Sequence, residues 1–154
     1  MMKEVNISAF DEFKLTVDYS RTLQKMIKAG NYDWLNEDVT EKHFPIPSKL
    51  SNKNNTILVK LFYFKNPISF ESAINKLDKV DCRPAMLTEL LALGEAMPEL
   101  QKHFPIVALG SVWHNTGDCA YVPILSFSTS WRKLNLAWLG SGWGNYCVIM
   151  AVAK

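Results

Sequence analysis

The stretch from Pro105 to Lys154 holds four of the chain's five tryptophans and five of its seven glycines, with Asp118, Arg132, Lys133 and Lys154 as its formally charged side chains. Tryptophan brings large apolar area with one polar handle. Glycine permits turns and close approaches that other residues resist. A segment that interleaves the two and carries so little charge reads as short strands joined by tight turns. The spacing predicts strands near 106–113, 119–125, 134–139 and 146–153, with turn-like stretches at 114–118, 126–133 and 140–145.

Upstream the period is different. Residues 13–19 (FKLTVDY) alternate apolar and polar side chains, as a half-buried strand does. Ser20 is placed to cap a helix carrying Leu23, Met26 and Ile27, with Gly30 as its stop. Residues 31–55 are polar and contain proline, and 48–55 read as an exposed loop. Residues 56–64 (TILVKLFYF) are apolar on nearly both faces, which suits a strand in the middle of a sheet. Ser69 caps a second helix with a stripe of Phe70, Ala73, Ile74 and Leu77. Arg83-Pro84 is extended, because proline disfavours helix in the residue before it. A third helix runs from Leu87 to about Met97, with Gly94 allowing close packing, and Pro98 redirects the chain. Strands, then helices, then strands argue for one α+β domain over 1–154. It has an N-terminal strand and helix, two central helices and a C-terminal antiparallel, loop-rich β region. The pentapeptide Lys42-His43-Phe44-Pro45-Ile46 recurs as Lys102-His103-Phe104-Pro105-Ile106, but the flanks diverge, so similar local strand entries are expected rather than a duplicated domain.

At 154 residues with 48% hydrophobic and 21% charged side chains, the chain can build one ordinary core. Residues 1–104 balance 14 basic against 14 acidic side chains, and the net charge is +2, which leaves no basic stripe for nucleic acid. Cys82, Cys119 and Cys147 are odd in number and far apart, so reduced thiols and a cytoplasmic location are expected. The longest apolar run, 147–153, is far shorter than a bilayer span, so no membrane partner is expected.

Reactive groups are sparse. Cys119 or Cys147 with His114 as base is the one nucleophile arrangement, and Cys147 sits in an apolar strand (CVIMAV). His103, His114 and Cys119 lack the paired spacing of a zinc site. Asp33, Asp38, Asp78, Asp81 and Asp118 form no calcium loop. Glu89 with Glu95 or Glu99 falls in one helical region, where solvated helix charges are the simpler reading. The glycine-rich run 140–144 does not lead into a phosphate-binding helix. No cofactor or metal is expected.

Residues 69–91 carry a resemblance. A helix (SFESAINKLDKV) is followed by Arg83-Pro84-Ala85-Met86-Leu87-Thr88-Glu89-Leu90-Leu91, then by a Trp/Gly-rich set of short strands. In this order residues 56–154 resemble C-type-lectin-like domains. The paired cysteines and the EPN-like or QPD-like calcium motifs of the sugar-binding members are absent, and Trp143-Gly144-Asn145 approximates their WND. The resemblance therefore implies the bacterial and phage kind of member, which binds proteins through its loop-rich face. The stretches RPAMLTELLALGE and FPIVALGSVW are also similar to small uncharacterised bacterial proteins.

The expected function is a non-enzymatic binding module for a protein or glycan, with Trp131, Arg132, Trp143, Asn145 and Tyr146 as the ligand-binding residues. Trp131 and Trp143, placed in loops, are the expected anchors, while Trp113 and Trp138 are expected in the core. The alternatives are a small enzyme using His114, Asp118 and Cys119, or an occluding inhibitor or self-associating component of a phage or mobile element.

Overall fold

A computed structural model of the chain describes residues 9–50, 54–144 and 146–154. Strand β1 (Asp11–Asp18) leads to helix α1 (Leu23–Ala29) and a two-residue strand β2 (Trp34–Leu35). Strand β3 (Asn54–Phe62), helix α2 (Phe70–Lys79), the short β4 (Cys82–Pro84) and helix α3 (Leu87–Ala96) follow. The rest is β5 (Ile106–Val107), β6 (Trp113–His114), β7 (Ala120–Ser128), β8 (Trp131–Trp138) and β9 (Val148–Ala153).

Among the described residues one mixed nine-stranded sheet collects the strands, in the order β1-β3-β9-β5-β7-β8-β2, with β4 also on β9 and β6 also on β7. Strand β9 is central. Met150 and Ala151 lie opposite Leu61 and Lys60 of β3, Ala151 and Val152 opposite Pro84 and Arg83 of β4, and Val148 and Ile149 beside Ile106 and Val107 of β5. Successive side chains of a strand point to opposite faces. Accordingly Ile106, Met150 and Val152 join one core with α1 and α3, whereas Val107, Ile149 and Ala151 join a second core with α2. The sheet is thus buried on both sides, which is why β9 carries no polar residue before Lys154. The α+β class read from the sequence holds. Among the described residues no helix is long and apolar enough to cross a membrane.

Local signals explain most boundaries. Ser69 accepts from Ser72 N–H at 3.1 Å and starts α2. The cap of α1 is Thr22, which accepts from Lys25 N–H at 3.2 Å, rather than Ser20, whose hydroxyl and amide both bond Asp18. Residues 31–55 are not all loop, because Trp34 and Leu35 pair parallel with Lys133 and Leu134 of β8. Residues 48–50 form a 3₁₀ turn, and Asn54 already belongs to β3. The largest departure is at 126–133. These residues form the ends of β7 and β8, joined by a tight hairpin in which Ser128 pairs Trp131. Thr129 (φ 50°) and Ser130 (φ 66°) both take left-handed backbone, as a two-residue hairpin turn of this kind requires. Polar residues at 126 and 128–130 signal a turn, but the turn itself needs just two of them.

The two KHFPI copies share a local shape and not a unit. Each lies at the end of a turn, with Phe44 N–H on Thr40 O and His103 N–H on Leu100 O, and only the second continues into a strand.

Two buried polar groups tie the helices to the sheet. Glu89, fully buried in the first turn of α3, accepts two bonds from Arg83 (2.9 and 2.7 Å), one from Tyr19 Oη (2.6 Å) and one from Met86 N–H (2.8 Å). A buried carboxylate persists when its lone pairs are filled in this way. Burial and the bond to Glu89 push the Tyr19 phenol upward, and the bond to Glu89 raises the Arg83 guanidinium. The second group is Arg132.

Candidate functional site

Arg132 was expected at a ligand surface in a loop. It instead lies within β8, 8% exposed, on the face that carries Leu134 and Leu136. Its Nε donates to Pro98 O (3.0 Å), Nη1 to Gly30 O (2.6 Å) and Asn31 O (3.3 Å), and Nη2 to Gly94 O (3.1 Å) and Gln101 Oε1 (2.9 Å). Helices leave their last carbonyls unpaired. One guanidinium fork here serves the C-terminal ends of α1 and α3 together, where a cation is also favoured by the helix dipoles. The Tyr32 ring lies 4.8 Å below the guanidinium. Every donor of Arg132 is used inside the protein, which leaves none for a ligand.

Trp143 is the second correction. Its ring is 0% exposed and packs in the α2-side core with Phe62, Phe64 and Leu77. The backbone does the placing. Trp143 and Ile68 exchange two hydrogen bonds, at 2.8 and 3.0 Å, and Gly142 at φ 79° turns the chain into that pairing. A ring at the tip of a glycine-rich turn is thereby folded inward. Tyr146 is exposed, its ring stacked near Trp143, and its hydroxyl donates to Gly142 O at 2.8 Å, so it braces the same turn. Asn145 lies outside the described residues.

Trp131 is 50% exposed, at the hairpin end of β8. It shares a sheet face with Lys133 and Trp34, and Lys133 Nζ sits 5.8 Å from the Trp34 ring. Trp138, expected in the core, ends the same strand and is 55% exposed. The alternation Leu134, Leu136, Trp138 marks one face, but the strand outruns the core at its last residue. Seven strand steps put Trp131 and Trp138 about 23 Å apart, too far to hold one small ligand between them. Trp113 is half-buried and stacks on His43 at 4.0 Å between ring centres.

Trp138, by contrast, lines a cleft, together with Phe70. A cavity of about 520 Å³ opens between the start of α2 (Ser69, Phe70, Glu71), the preceding Pro67–Ile68, the start of β7 (Asp118, Cys119, Ala120) and the 138–142 turn. A β-carbon at Gly140 would fall 2.7 Å from Trp138 Cζ2, so the indole rests directly on that glycine. Ser141 Oγ donates to Trp138 O at 2.7 Å and closes the turn. Just before β7, whose Tyr121 pairs with Trp138, Asn115 Oδ1 accepts from Gly117 and Cys119 N–H, both at 2.9 Å, which stiffens the turn that carries Asp118 (φ 63°). Cys119 is the exposed cysteine of the three, while burial raises the thiols of Cys82 and Cys147. Cys119 Sγ has Gly117 O as its hydrogen-bond partner, at 4.0 Å, and no bond joins it to His114. Among the described residues no group of three His, Cys, Asp or Glu side chains could hold a metal ion.

Trp138 lines this cavity, whereas Trp143 is buried and Trp131 is not among the lining residues. The available signal was Gly140, two residues beyond Trp138, since a glycine can seat an aromatic face that any other residue would displace.

No family model matches the chain, and no match was found among curated proteins or solved structures.

Proposed function

We propose that this chain is a non-enzymatic binding module that holds a protein segment or a glycan chain in the cleft beneath Trp138. The observation that carries the reading is an indole more than half exposed, yet seated on Gly140 at the rim of a preformed cavity. Large aromatic rings with few rotatable bonds dominate binding hot spots. Covering the exposed half of a tryptophan removes about 100 Å² from water, which is about 2.5 kcal/mol of hydrophobic gain. Pro67, Phe70 and Leu139 extend the apolar wall, and Ser69, Glu71 and Asp118 supply polar contacts. The order of two helices, the Arg83–Glu89 stretch and a Trp/Gly-rich region supports a C-type-lectin-like kinship in this proposal, with the loop-rich end as its binding face.

Cys119 gives a direct test, because it lines the cleft and is exposed. A ligand recovered from a peptide or glycan array should slow alkylation of Cys119, and Trp138→Ala should require about tenfold more ligand for the same protection while leaving the circular dichroism spectrum unchanged. Undiminished binding in Trp138→Ala would refute the cleft as the site.

A further inference from the structure

The charges lining the Trp138 cleft are Glu71 and Asp118, with no lysine, arginine or histidine among the lining residues. This is opposite in sign to the chain as a whole, whose net charge is +2. Some other acids near the surface are matched (Asp78 by Lys154, Glu95 by Arg21, Glu99 by Lys102), while Glu37, Glu41 and Asp81 stand without an ion pair among the described residues. Neither Glu71 nor Asp118 has a side-chain hydrogen bond or ion pair among the described residues. At the start of α2, the end of a helix that would draw an anion, Ser69 Oγ already takes the Ser72 N–H. Glu71 in the first turn opposes an anion there as well.

Asp118 adds a second line of reasoning. Its left-handed backbone is a position that glycine occupies at least strain, and aspartate is one of the few other residues that tolerate it. The turn is fastened by Asn115, so it holds the carboxylate at the cleft wall. It lines the same cavity as the Trp138 indole, whose π face attracts cations.

Resting on the binding function above, we propose that the occupant is a basic protein segment, with a lysine or arginine head group over the Trp138 ring between the carboxylates of Glu71 and Asp118. Carboxylates fix the charge, the ring supplies the cation–π contact, and Pro67, Phe70 and Leu139 receive the methylene stem, as long basic side chains prefer. A glycan would use the ring but has no need of two unpaired negative charges.

The test uses the full chain with three fluorescent probes: a peptide of alternating glycine and lysine, its glutamate counterpart, and chitotetraose. The lysine peptide should bind, weaken with added salt, and lose about threefold in affinity with either Glu71→Gln or Asp118→Asn and about tenfold with both. Trp138→Ala should cost about tenfold. Asparagine also accepts left-handed backbone, so Asp118→Asn removes charge without straining the turn. Lysine-peptide binding that is absent, or unchanged in the double variant, overturns the basic-partner inference. Chitotetraose binding that needs Trp138 but neither carboxylate overturns it too, while leaving the binding function standing. If no probe or array ligand protects Cys119, the binding function itself fails.

Discussion

Arg132 Nη2 donates to Gln101 Oε1 at 2.9 Å, and Gln101 Nε2 in turn donates to Ser126 O at 2.8 Å and Lys133 O at 3.1 Å. The two side chains form one buried polar unit that joins two helix ends to the β7–β8 hairpin. Arg132→Lys keeps the charge and discards the planar fork, leaving carbonyls of Gly30, Gly94 or Pro98 without a donor. Urea denaturation should show a loss of at least about 3 kcal/mol, from hydrogen bonds to a charged group and the desolvated carbonyls they leave behind. Ligand affinity at the Trp138 cleft should be unchanged at temperatures where the variant is folded. An unaltered urea midpoint would mean that the fork does not hold the helices.

Trp143 and Trp138 exchange the roles that their sequence context suggests. Trp143→Ala opens a cavity in the α2-side core and should cost about 3–5 kcal/mol. Trp138→Ala removes a ring that is mostly in water and should cost less than about 1 kcal/mol. Thermal unfolding of the two variants side by side decides it, and the opposite ranking would return Trp143 to the surface.

These two residues show where the sequence is legible and where it is not. Helix caps at Ser69, the extended Arg83-Pro84 and the doubly apolar β3 are local matters, and each appears where its side chains and neighbours require. Burial of Trp143 is not local. It depends on an isolated pairing with Ile68, seventy-five positions earlier by subtraction of their residue numbers. Arg132 likewise looked like a surface charge because nothing near it in sequence reveals two helix ends converging on it. Trp34 lies in a polar stretch with no strand pattern around it, and its pairing with β8 gives it a place in the sheet.

The β7–β8 turn stores removable strain. Thr129 and Ser130 occupy left-handed backbone that a β-branched residue resists strongly. Replacing the pair by Asn-Gly, the preferred residues for such a turn, should raise stability by about 1–2 kcal/mol, read as a higher urea midpoint with unchanged slope. A lower midpoint would show that the native pair makes compensating contacts.

Alkaline pH should weaken the fold. Burial raises the phenols of Tyr19 and Tyr32, the latter to about 12 from its ordinary 10.0, and raises Cys147 to about 11 from 9.0. Folded pKa values above the unfolded ones mean that the unfolded chain releases its protons first. The associated stability is whole below pH 9 and is lost as pH climbs through 9 to 12. Tyr32 Oη is also buried without a hydrogen-bond partner among the described residues. Tyr32→Phe should therefore match the parent or gain up to about 1 kcal/mol at pH 7, and lose less stability between pH 8 and 11. Equal alkaline losses in parent and variant would remove Tyr32 as a contributor.

Strand β9 meets three neighbours drawn from around positions 60, 83 and 106. Each pairing closes a long loop before it returns any energy, and such closure is what slows folding. The rate-limiting barrier should lie at the insertion of β9 between partners that have already found approximate positions. Substitutions in β9, such as Met150→Ala, should then slow refolding far less than they speed unfolding. The centre of the sheet in space would be the latest event in time.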